Sequence, residues 1–227
     1  MAIQLKNTRE AALNGVKLVI YGESGAGKTT LMGTAPRPII ISAEAGLLSL
    51  RKQDIDYIEV HNIEELIEVY NFLLSEQGAQ YETICLDSIS EIAEIVLANE
   101  KKNAKDARQA YGTLIDVYLD LLRKFRDIPS KNVVFSAKME RATLSDGTTK
   151  YSMMLPGSKA GQQTPYFFDE VFALRIFNNE QTGEPIRWLQ TGSDMQYVGK
   201  DRSGALAMFE PADLTYIINK IKGDVNA

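Results

Sequence analysis

The sequence has very little cysteine and histidine, with one residue of each among 227. Cys85 has no second cysteine with which to form an internal disulfide, so we expect a protein of a reducing cytoplasm. The lone His61 follows a short apolar run and has no ligand-type neighbours, which indicates a turn residue rather than a catalytic or metal-binding one. Disulfide-stabilised and histidine-dependent classes of protein are therefore disfavoured.

Long apolar runs and an excess of positive charge are also missing. No apolar stretch approaches the roughly 20 residues that a membrane span requires, and the opening MAIQLKNTRE lacks the apolar segment of a secretory signal. Thirty acidic and 25 basic residues give a formal net charge of −5. We therefore expect a soluble protein without a membrane partner, in which any nucleic-acid site is local.

What is present indicates one globular domain with a substantial core. Hydrophobic residues make up 44% of the chain and charged residues 24%, and no internal repeat or linker interrupts the sequence. We therefore expect residues 1–227 to form a single domain. Because the glycine-rich motif described below lies so near the start, we expect no domain before it.

Strand-length apolar runs alternate with segments of helical spacing. The expected strands are residues 16–21, 38–42, 57–60, 83–87, 132–136, 171–177 and 186–190. Helices are expected over 63–74 and from Ile89, where Ser88 can cap the helix with Glu91 three residues on. A hairpin around Ser145-Asp146-Gly147 follows the strand at 132–136. The pattern predicts an α/β fold with a mostly parallel central sheet flanked by helices, and antiparallel strands in the C-terminal third.

Three further segments carry less regular signals. One helix places apolar and aromatic side chains on one side, and we expect these to be core: Tyr111, Leu114, Ile115, Tyr118, Leu122 and Phe125. Residues 156–163, PGSKAGQQ, lack periodicity and are expected to form a mobile loop. Residues 211–222 are expected to form a closing helix with Pro211 in its first turn.

A glycine-rich turn follows the first expected strand and fits the phosphate-binding pattern G-x-x-x-x-G-K-T. Its backbone N–H groups would surround phosphate oxygens, Lys28 would reach the β and γ phosphates, and the Thr29 hydroxyl would bind Mg²⁺. The expected nucleotide-binding residues are Gly22, Glu23, Ser24, Gly25, Ala26, Gly27, Lys28, Thr29 and Thr30. The motif predicts a protein that binds ATP together with Mg²⁺.

Two acidic residues follow buried strands and are expected at the same edge of the sheet. Asp87 ends the run TICLD, where a carboxylate would help to hold Mg²⁺, although it could instead cap the next helix. Glu44 follows the run at 38–42 and is the candidate for orienting the attacking water, with a solvated loop glutamate as the alternative.

These segments resemble the RecA/RadA superfamily, and more closely the short phage ATPases of the Sak type, which are RecA cores that assist single-strand annealing. IIISAEAGL, with Glu44, looks like the segment that carries the water-activating acid in RecA proteins. TICLDSIS, with Asp87, looks like their strand that ends in Asp-Ser. The resemblance covers most of the chain and implies a RecA-like ATPase from a phage, acting in the bacterial cytoplasm.

The same resemblance implies catalysis across a subunit boundary. GKDRSGALAMFEPADL is similar to the KNRFG region of bacterial RadA, whose basic residues approach the nucleotide of the neighbouring subunit. Lys200 and Arg202 would then act on a neighbour's ATP in a homo-oligomeric ring or filament. The alternative is a solvated basic loop.

In the resembled family two loops face DNA, and here they correspond to residues 139–150 and 153–163. The cations expected to contact phosphates are Lys138, Arg141, Lys150 and Lys159. The implied partner is single-stranded DNA bound without base-specific contacts, with a single-strand binding protein as a further candidate partner. Tyr151 and Tyr166 would either stack on bases or pack within the fold. Where RecA proteins carry an amide-bearing sensor residue, this chain has Ser136.

Several other functions compete with this interpretation. Glu23 replaces the signature lysine of ParA-type ATPases, a GTPase would need the absent NKxD motif, and a small-molecule kinase would need an arginine-rich lid that is not evident. An oligomeric loader that binds ATP with little hydrolysis and a hexameric DNA motor remain as alternatives.

Overall fold

The computed structural model describes residues 14–44 and 46–223, and the side chains of Asn103, Ala107, Arg108, Ser158 and Lys159 lie outside this description. The described strands are β1 (Lys17–Gly22), β2 (Pro38–Ser42), β3 (Tyr57–Glu59), β4 (Thr83–Asp87), β5 (Asn132–Thr143), β6 (Thr149–Met153), β7 (Glu170–Asn178), β8 (Pro185–Gln190), β9 (Lys200–Asp201) and β10 (Phe209–Pro211). The described α-helices are α1 (Lys28–Met32), α2 (Ile63–Leu73), α3 (Ile89–Asn103), α4 (Ala107–Arg126), α5 (Gly157–Phe167) and α6 (Leu214–Lys222). Short 3₁₀ turns lie at Leu47–Leu50 and Gln77–Gln80.

The sheet runs in the order β10-β8-β7-β1-β5-β4-β2-β3. The six strands from β7 to β3 are parallel, whereas β8 is antiparallel to β7 and β10 is antiparallel to β8. Two further strands pair outside this order, β6 with β5 and β9 with β7, both antiparallel. The predicted parallel sheet with antiparallel strands in the C-terminal third is confirmed.

Apolar side chains cover both faces of the sheet because the central strands alternate between two cores. On one face, Val19 and Phe135 pack with the buried sides of α2, α3 and α4. On the other face, Ile20 and Phe172 pack with α1 and α6. Continuous apolar runs such as the one in β4 arise from this double coverage. Cys85 is buried in the second core, and burial raises the pKa of its thiol.

The expectation of a mobile loop over residues 156–163 was wrong, because α5 occupies this segment. The helix begins directly after Pro156, and its buried side carries Ala160 and Thr164, followed by Phe168. The spacing of four residues is helical, but two of the three side chains are small or polar. A search for large apolar residues therefore does not detect it. The second expected DNA loop is consequently largely helical.

Two smaller expectations were also wrong. Pro211 lies in β10 opposite Trp188, and α6 begins at Leu214 after its cap, Asp213, whose side chain accepts a hydrogen bond from the Tyr216 amide. Tyr111 is 51% exposed.

On α4, the row of buried residues spaced by four begins at Ala110 and continues through Leu114 and Tyr118. Tyr111 is offset from this row by one residue, about 100° around the helix, and therefore faces solvent. In the part of the chain that the structure describes, no helix combines the length and the hydropathy that crossing a membrane requires.

The different burial of Phe125 and Tyr111 on α4 predicts that replacing each by alanine lowers the stability of the protein by a different amount. Phe125→Ala should lower the free energy of unfolding by about 3 to 5 kcal/mol, because it empties a fully buried site. Tyr111→Ala should change it by less than about 0.5 kcal/mol, because its ring is half in solvent. Urea denaturation monitored by circular dichroism measures both. Equal losses in the two variants would contradict the assigned orientation of α4.

Candidate nucleotide site

The glycine-rich turn leaves the carboxyl end of β1, which is buried along its whole length. Gly25 and Gly27 have φ values of 76° and 98°, which side chains rarely adopt. A Cβ on Gly27 would also lie 2.9 Å from Nε of Arg187. The Gly27 carbonyl then accepts a hydrogen bond from the Leu31 amide at 2.9 Å, which joins the turn to α1. The two glycines thus give the turn the backbone shape that can surround a phosphate.

Lys28 folds back over this turn. Its Nζ donates to the carbonyl oxygens of Gly22 at 2.9 Å and Glu23 at 3.0 Å. Burial lowers the pKa of Lys28, while the carboxylates of Asp87 and Glu44 act in the opposite direction. A partly desolvated ammonium whose partners are mostly neutral carbonyls is suited to bind an anionic phosphate.

Asp87 links the turn to the two neighbouring strands of the sheet. Its carboxylate is 4% exposed and accepts hydrogen bonds from the hydroxyl of Thr29, at 2.5 Å, and from the hydroxyl of Ser136. The hydroxyl of Thr29 and the carboxylate of Asp87 are oxygen donors of the kind that Mg²⁺ prefers, and they are already in contact. These residues therefore fit a Mg²⁺ site.

The alternative role of Asp87 as a helix cap is wrong, because Ser88 caps α3. The side chain of Ser88 accepts a hydrogen bond from the Glu91 amide, as the sequence predicts. The peptide bond between Asp87 and Ser88 is cis. The Ser136 hydroxyl donates its hydrogen bond directly to Asp87.

Glu44 lies at the same edge, after β2. Its Oε1 accepts a hydrogen bond from the Ser88 hydroxyl at 2.6 Å, and Nζ of Lys138 lies 3.9 Å away. The same ammonium forms a closer ion pair with Glu91. The structure therefore brings Glu44, Lys28 and Asp87 to one edge, and it places Lys138 beside them rather than out on the hairpin.

The remaining predicted DNA contacts are dispersed. Arg141 and Lys150 are exposed on the hairpin formed by β5 and β6, whereas the side chain of Lys159 lies outside the described residues. Of the two candidate stacking residues, Tyr166 is exposed. Tyr151 instead stacks on Tyr197, with ring centroids 4.6 Å apart, which supports a packing role for Tyr151.

Lys200 and Arg202 make their side-chain contacts with residues before and at the start of β7 rather than with the turn of their own chain. In β9, Lys200 pairs with Val171 near the start of β7, whereas Ala173 is the residue level with the end of β1. The Lys200 ammonium donates to the carbonyls of Phe168, at 2.6 Å, and Pro165, at 3.2 Å. Arg202 pairs with Asp169 at 2.8 Å. The basic segment is thus held at the amino-terminal edge of the parallel strands.

Two features of the site escaped sequence reasoning. Arg187 of β8 donates from Nε to the Ala26 carbonyl at 2.8 Å, across 161 residues of chain. Tyr197 lines a cavity of about 210 Å³ beside Glu23 and Ser24. The guanidinium of Arg175 lies 4.2 Å from the centre of the Tyr197 ring. No local motif marks these residues, because only strand pairing brings them to the turn.

Beneath the basic segment lies a pair of acidic residues. Glu170 is 1% exposed, its Oε1 accepts from the Ser203 amide at 3.2 Å, and its Oε2 has no hydrogen-bond donor among the described residues. Burial, together with the neighbouring Asp201 carboxylate, raises the pKa of Glu170 from 4.5 to about 8. The raised pKa favours the protonated form of the Glu170 carboxyl in the folded protein.

Comparison with known proteins gives a family match for this chain and structures with a similar fold. A family described as an AAA domain matches residues 14–203. Among solved structures, the fold is similar to that of a KaiC-like protein from the hyperthermophilic archaeon Pyrococcus horikoshii OT3, with 13% identity, a TM-score of 0.40 and coverage of 78% of this chain and 77% of that chain. It is also similar to a prototypical ATPase from the type III secretion system of pathogenic bacteria, with 13% identity and a TM-score of 0.50.

The similarity to the secretion ATPase covers 74% of this chain and 54% of that one, so this chain spans about half of its length. At this identity the likeness shows the fold alone, and it confirms the expected RecA-like P-loop architecture. No curated protein matches the sequence.

The protonated Glu170 predicts a pH-dependent stability that Glu170→Gln removes. Because the pKa of Glu170 is raised in the folded state, the stabilising effect of its bound proton is complete below a pH of about 4.5. This effect is lost as the pH rises toward about 8. Relative to the variant, the wild-type free energy of unfolding should therefore fall by at least about 1.4 kcal/mol over this interval, the value of one pKa unit. Urea titrations at several pH values measure it, and parallel profiles for the two proteins would refute a raised pKa.

Proposed function

We propose that this chain, which belongs to the family of AAA domains and is a P-loop ATPase, is a phage-type recombination protein that acts on single-stranded DNA as an oligomer. The observation that carries the ATP-hydrolysing part of the proposal is the convergence of Lys28, Thr29, Asp87 and Glu44 at one edge of the sheet. These four side chains come from three separate segments and supply the groups that phosphoryl transfer to water requires.

Each residue of the site has a distinct task. The backbone amides of residues 22–30 and the Lys28 ammonium bind the phosphates of ATP. Thr29 and Asp87 would hold Mg²⁺, and the bound ion would supply positive charge beside the transferred phosphoryl group. Glu44, oriented by the Ser88 hydroxyl, positions the attacking water and accepts a proton from it.

The placement of Lys200 and Arg202 supports catalysis across a subunit boundary. Their side chains bond to Pro165, Phe168 and Asp169, which precede β7, on the side of the sheet away from the phosphate-binding turn. Within one chain they therefore do not reach the nucleotide. In a ring or filament that sets this edge of one subunit against the site of the next, they would approach the neighbour's ATP. Turnover would then depend on assembly.

The hairpin formed by β5 and β6 is the proposed DNA-binding element. It extends β5 beyond the parallel sheet and exposes Arg141 and Lys150 on adjacent strands. Cations on such a projecting ribbon can follow a phosphate backbone without reading bases. Lys138 and Lys159 complete the proposed set of phosphate contacts. The setting that we propose is the bacterial cytoplasm, with the chain acting as a single domain in annealing or recombination, alone or with a single-strand binding protein.

ATP turnover measured at several protein concentrations, with and without single-stranded DNA, tests the proposal. Turnover per subunit should rise with protein concentration, because the site is completed by a neighbour, and should rise further with DNA. Glu44→Gln should lower kcat by about 100-fold or more while nucleotide binding persists. Lys28→Ala should lose both binding and turnover.

The same assay separates the competing functions. Turnover that is independent of protein concentration would exclude the subunit-boundary mechanism. Absence of turnover with intact ATP binding would identify a loader, and ATP-driven unwinding of a forked duplex would identify a motor. Unchanged turnover in Glu44→Gln would remove Glu44 from the reaction.

The DNA-binding hairpin makes a separate prediction. Replacing both Arg141 and Lys150 by alanine should weaken binding of a fluorescently labelled oligonucleotide. It should also reduce the steepness of the salt dependence, because binding with fewer phosphate contacts releases fewer counterions from the DNA. The double variant of Lys101 and Lys102, two exposed cations at the end of α3, is the charge-matched control. Equal affinity in the hairpin variant and the wild type would rule out this surface.

A further inference from the structure

The first turn of α3 contacts both the candidate water-orienting residue and the base of the hairpin formed by β5 and β6. Ser88, which caps the helix, donates from its hydroxyl to Oε1 of Glu44 at 2.6 Å. Two residues further on, the Ser90 hydroxyl accepts a hydrogen bond from the Lys138 amide at 3.0 Å and donates to the Met154 carbonyl at 2.9 Å. Lys138 lies in β5, and Met154 directly follows β6. A single serine therefore bonds to both sides of the hairpin.

The contact of Ser90 lies where the hairpin leaves the parallel sheet. Lys138 is level with Gly22, the last residue of β1, and the next residue of β5 is the first to pair with β6. The Met154 amide donates to the Lys138 carbonyl at 2.7 Å, so the two sides of the hairpin are also joined to each other here. A displacement of the hairpin base would therefore act directly on Ser90.

An ion pair connects the same two elements through their side chains. The Lys138 ammonium contacts the carboxylate of Glu91, which lies in the same helical turn as Ser90. The hydrogen bond to Glu91 is the main cause of the raised pKa of Lys138. The ammonium and the carboxylate are both partly exposed, so the ion pair by itself contributes little stability. The two backbone hydrogen bonds of Ser90 fix the geometry, and the ion pair adds an attraction of charges.

We propose that Ser90 is a positioning residue that couples the hairpin to Glu44, so that single-stranded DNA bound by the hairpin changes the rate of ATP turnover. Ser88 and Ser90 are about 3 Å apart along the axis of one helical turn. A shift of the hairpin base that moves Ser90 therefore also moves Ser88 and the carboxylate that Ser88 holds. Ser90 acts through these two residues and not on the reacting groups. The inference rests on the proposed function, from which it takes the roles of Glu44 and of the hairpin.

ATP turnover with and without a poly-thymidine oligonucleotide measures this coupling. Ser90→Ala should lower the stimulation of turnover by DNA about fivefold, as expected for the loss of two backbone hydrogen bonds. Turnover without DNA and the affinity for the labelled oligonucleotide should stay within about twofold of the wild type, because Ser88 still holds Glu44 and the exposed cations of the hairpin remain. Ser90→Thr keeps the hydroxyl and should retain the stimulation.

The matched control is Ser75→Ala, which removes an exposed hydroxyl that donates to the Phe72 carbonyl at 2.7 Å after α2. This variant should show the wild-type stimulation. Full stimulation in Ser90→Ala would overturn the inference, as would its absence from a wild type that binds both ATP and DNA. An equal loss of basal and stimulated turnover in Ser90→Ala would also overturn it, since Ser90 would then only stabilise the site.

Hydrogen exchange without DNA provides a second readout that needs only the wild type and a nucleotide. A non-hydrolysable ATP analogue with Mg²⁺ should alter the exchange of the Lys138 and Met154 amides, because a linkage between two sites acts in both directions. The alteration should be smaller in Ser90→Ala. If the wild type binds the analogue and these amides do not respond, the coupling is refuted while the ATP site stands. If the wild type binds no nucleotide, the proposed function fails as well.

Discussion

The hydrogen bond between Thr29 and Asp87 is the interaction on which the candidate site depends. It joins the first turn of α1 to the end of β4, and the Ser136 hydroxyl on the same carboxylate adds β5 to the group. A buried carboxylate needs such donors, because an unpaired charge in this position would cost several kcal/mol. The three elements are therefore fixed relative to one another before any nucleotide binds. Such preorganisation is what a Mg²⁺ and phosphate site requires.

Parallel strand pairing explains why the residues of the candidate site gather at one edge of the sheet, away from the side-chain contacts of Lys200 and Arg202. Strands β1, β4 and β2 run in the same direction, so the residues that follow them meet at one end of the sheet. The antiparallel β9 pairs with the start of β7 and carries Lys200 to the opposite end. A fold with two chemically different ends can stack head to tail, with the cations of one copy facing the phosphates of the next. In the proposed oligomer, strand direction would set which end of one copy meets the ATP site of the next.

The C-terminal strands also bring the hairpin and the phosphate-binding turn into one network. Tyr151 of the hairpin stacks on Tyr197, which lines the cavity beside the turn and lies under the guanidinium of Arg175. The Tyr21 hydroxyl of β1 donates to the carbonyls of Val198 and Tyr151. Hairpin, turn and central strand are thus in direct contact through three tyrosines. Through these contacts the proposed DNA-binding element is connected to the ATP site.

The sequence by itself determined the features that are encoded locally: β1 with its glycine-rich turn and α1, the bounds of β2 and β4, and the cap of α3 by Ser88. In these segments apolar runs, glycines and capping residues act over a few neighbouring positions, so their pattern is visible in the chain. Tertiary structure alone decided that residues 157–163 are helical, because Ala160 and Thr164 are buried only by packing against the rest of the fold. It also decided that Arg187 reaches Ala26 and that Ser136 reaches Asp87, because strand pairing joins residues 161 and 49 positions apart. Pairing over such separations depends on the whole sheet, and no short stretch of sequence carries it.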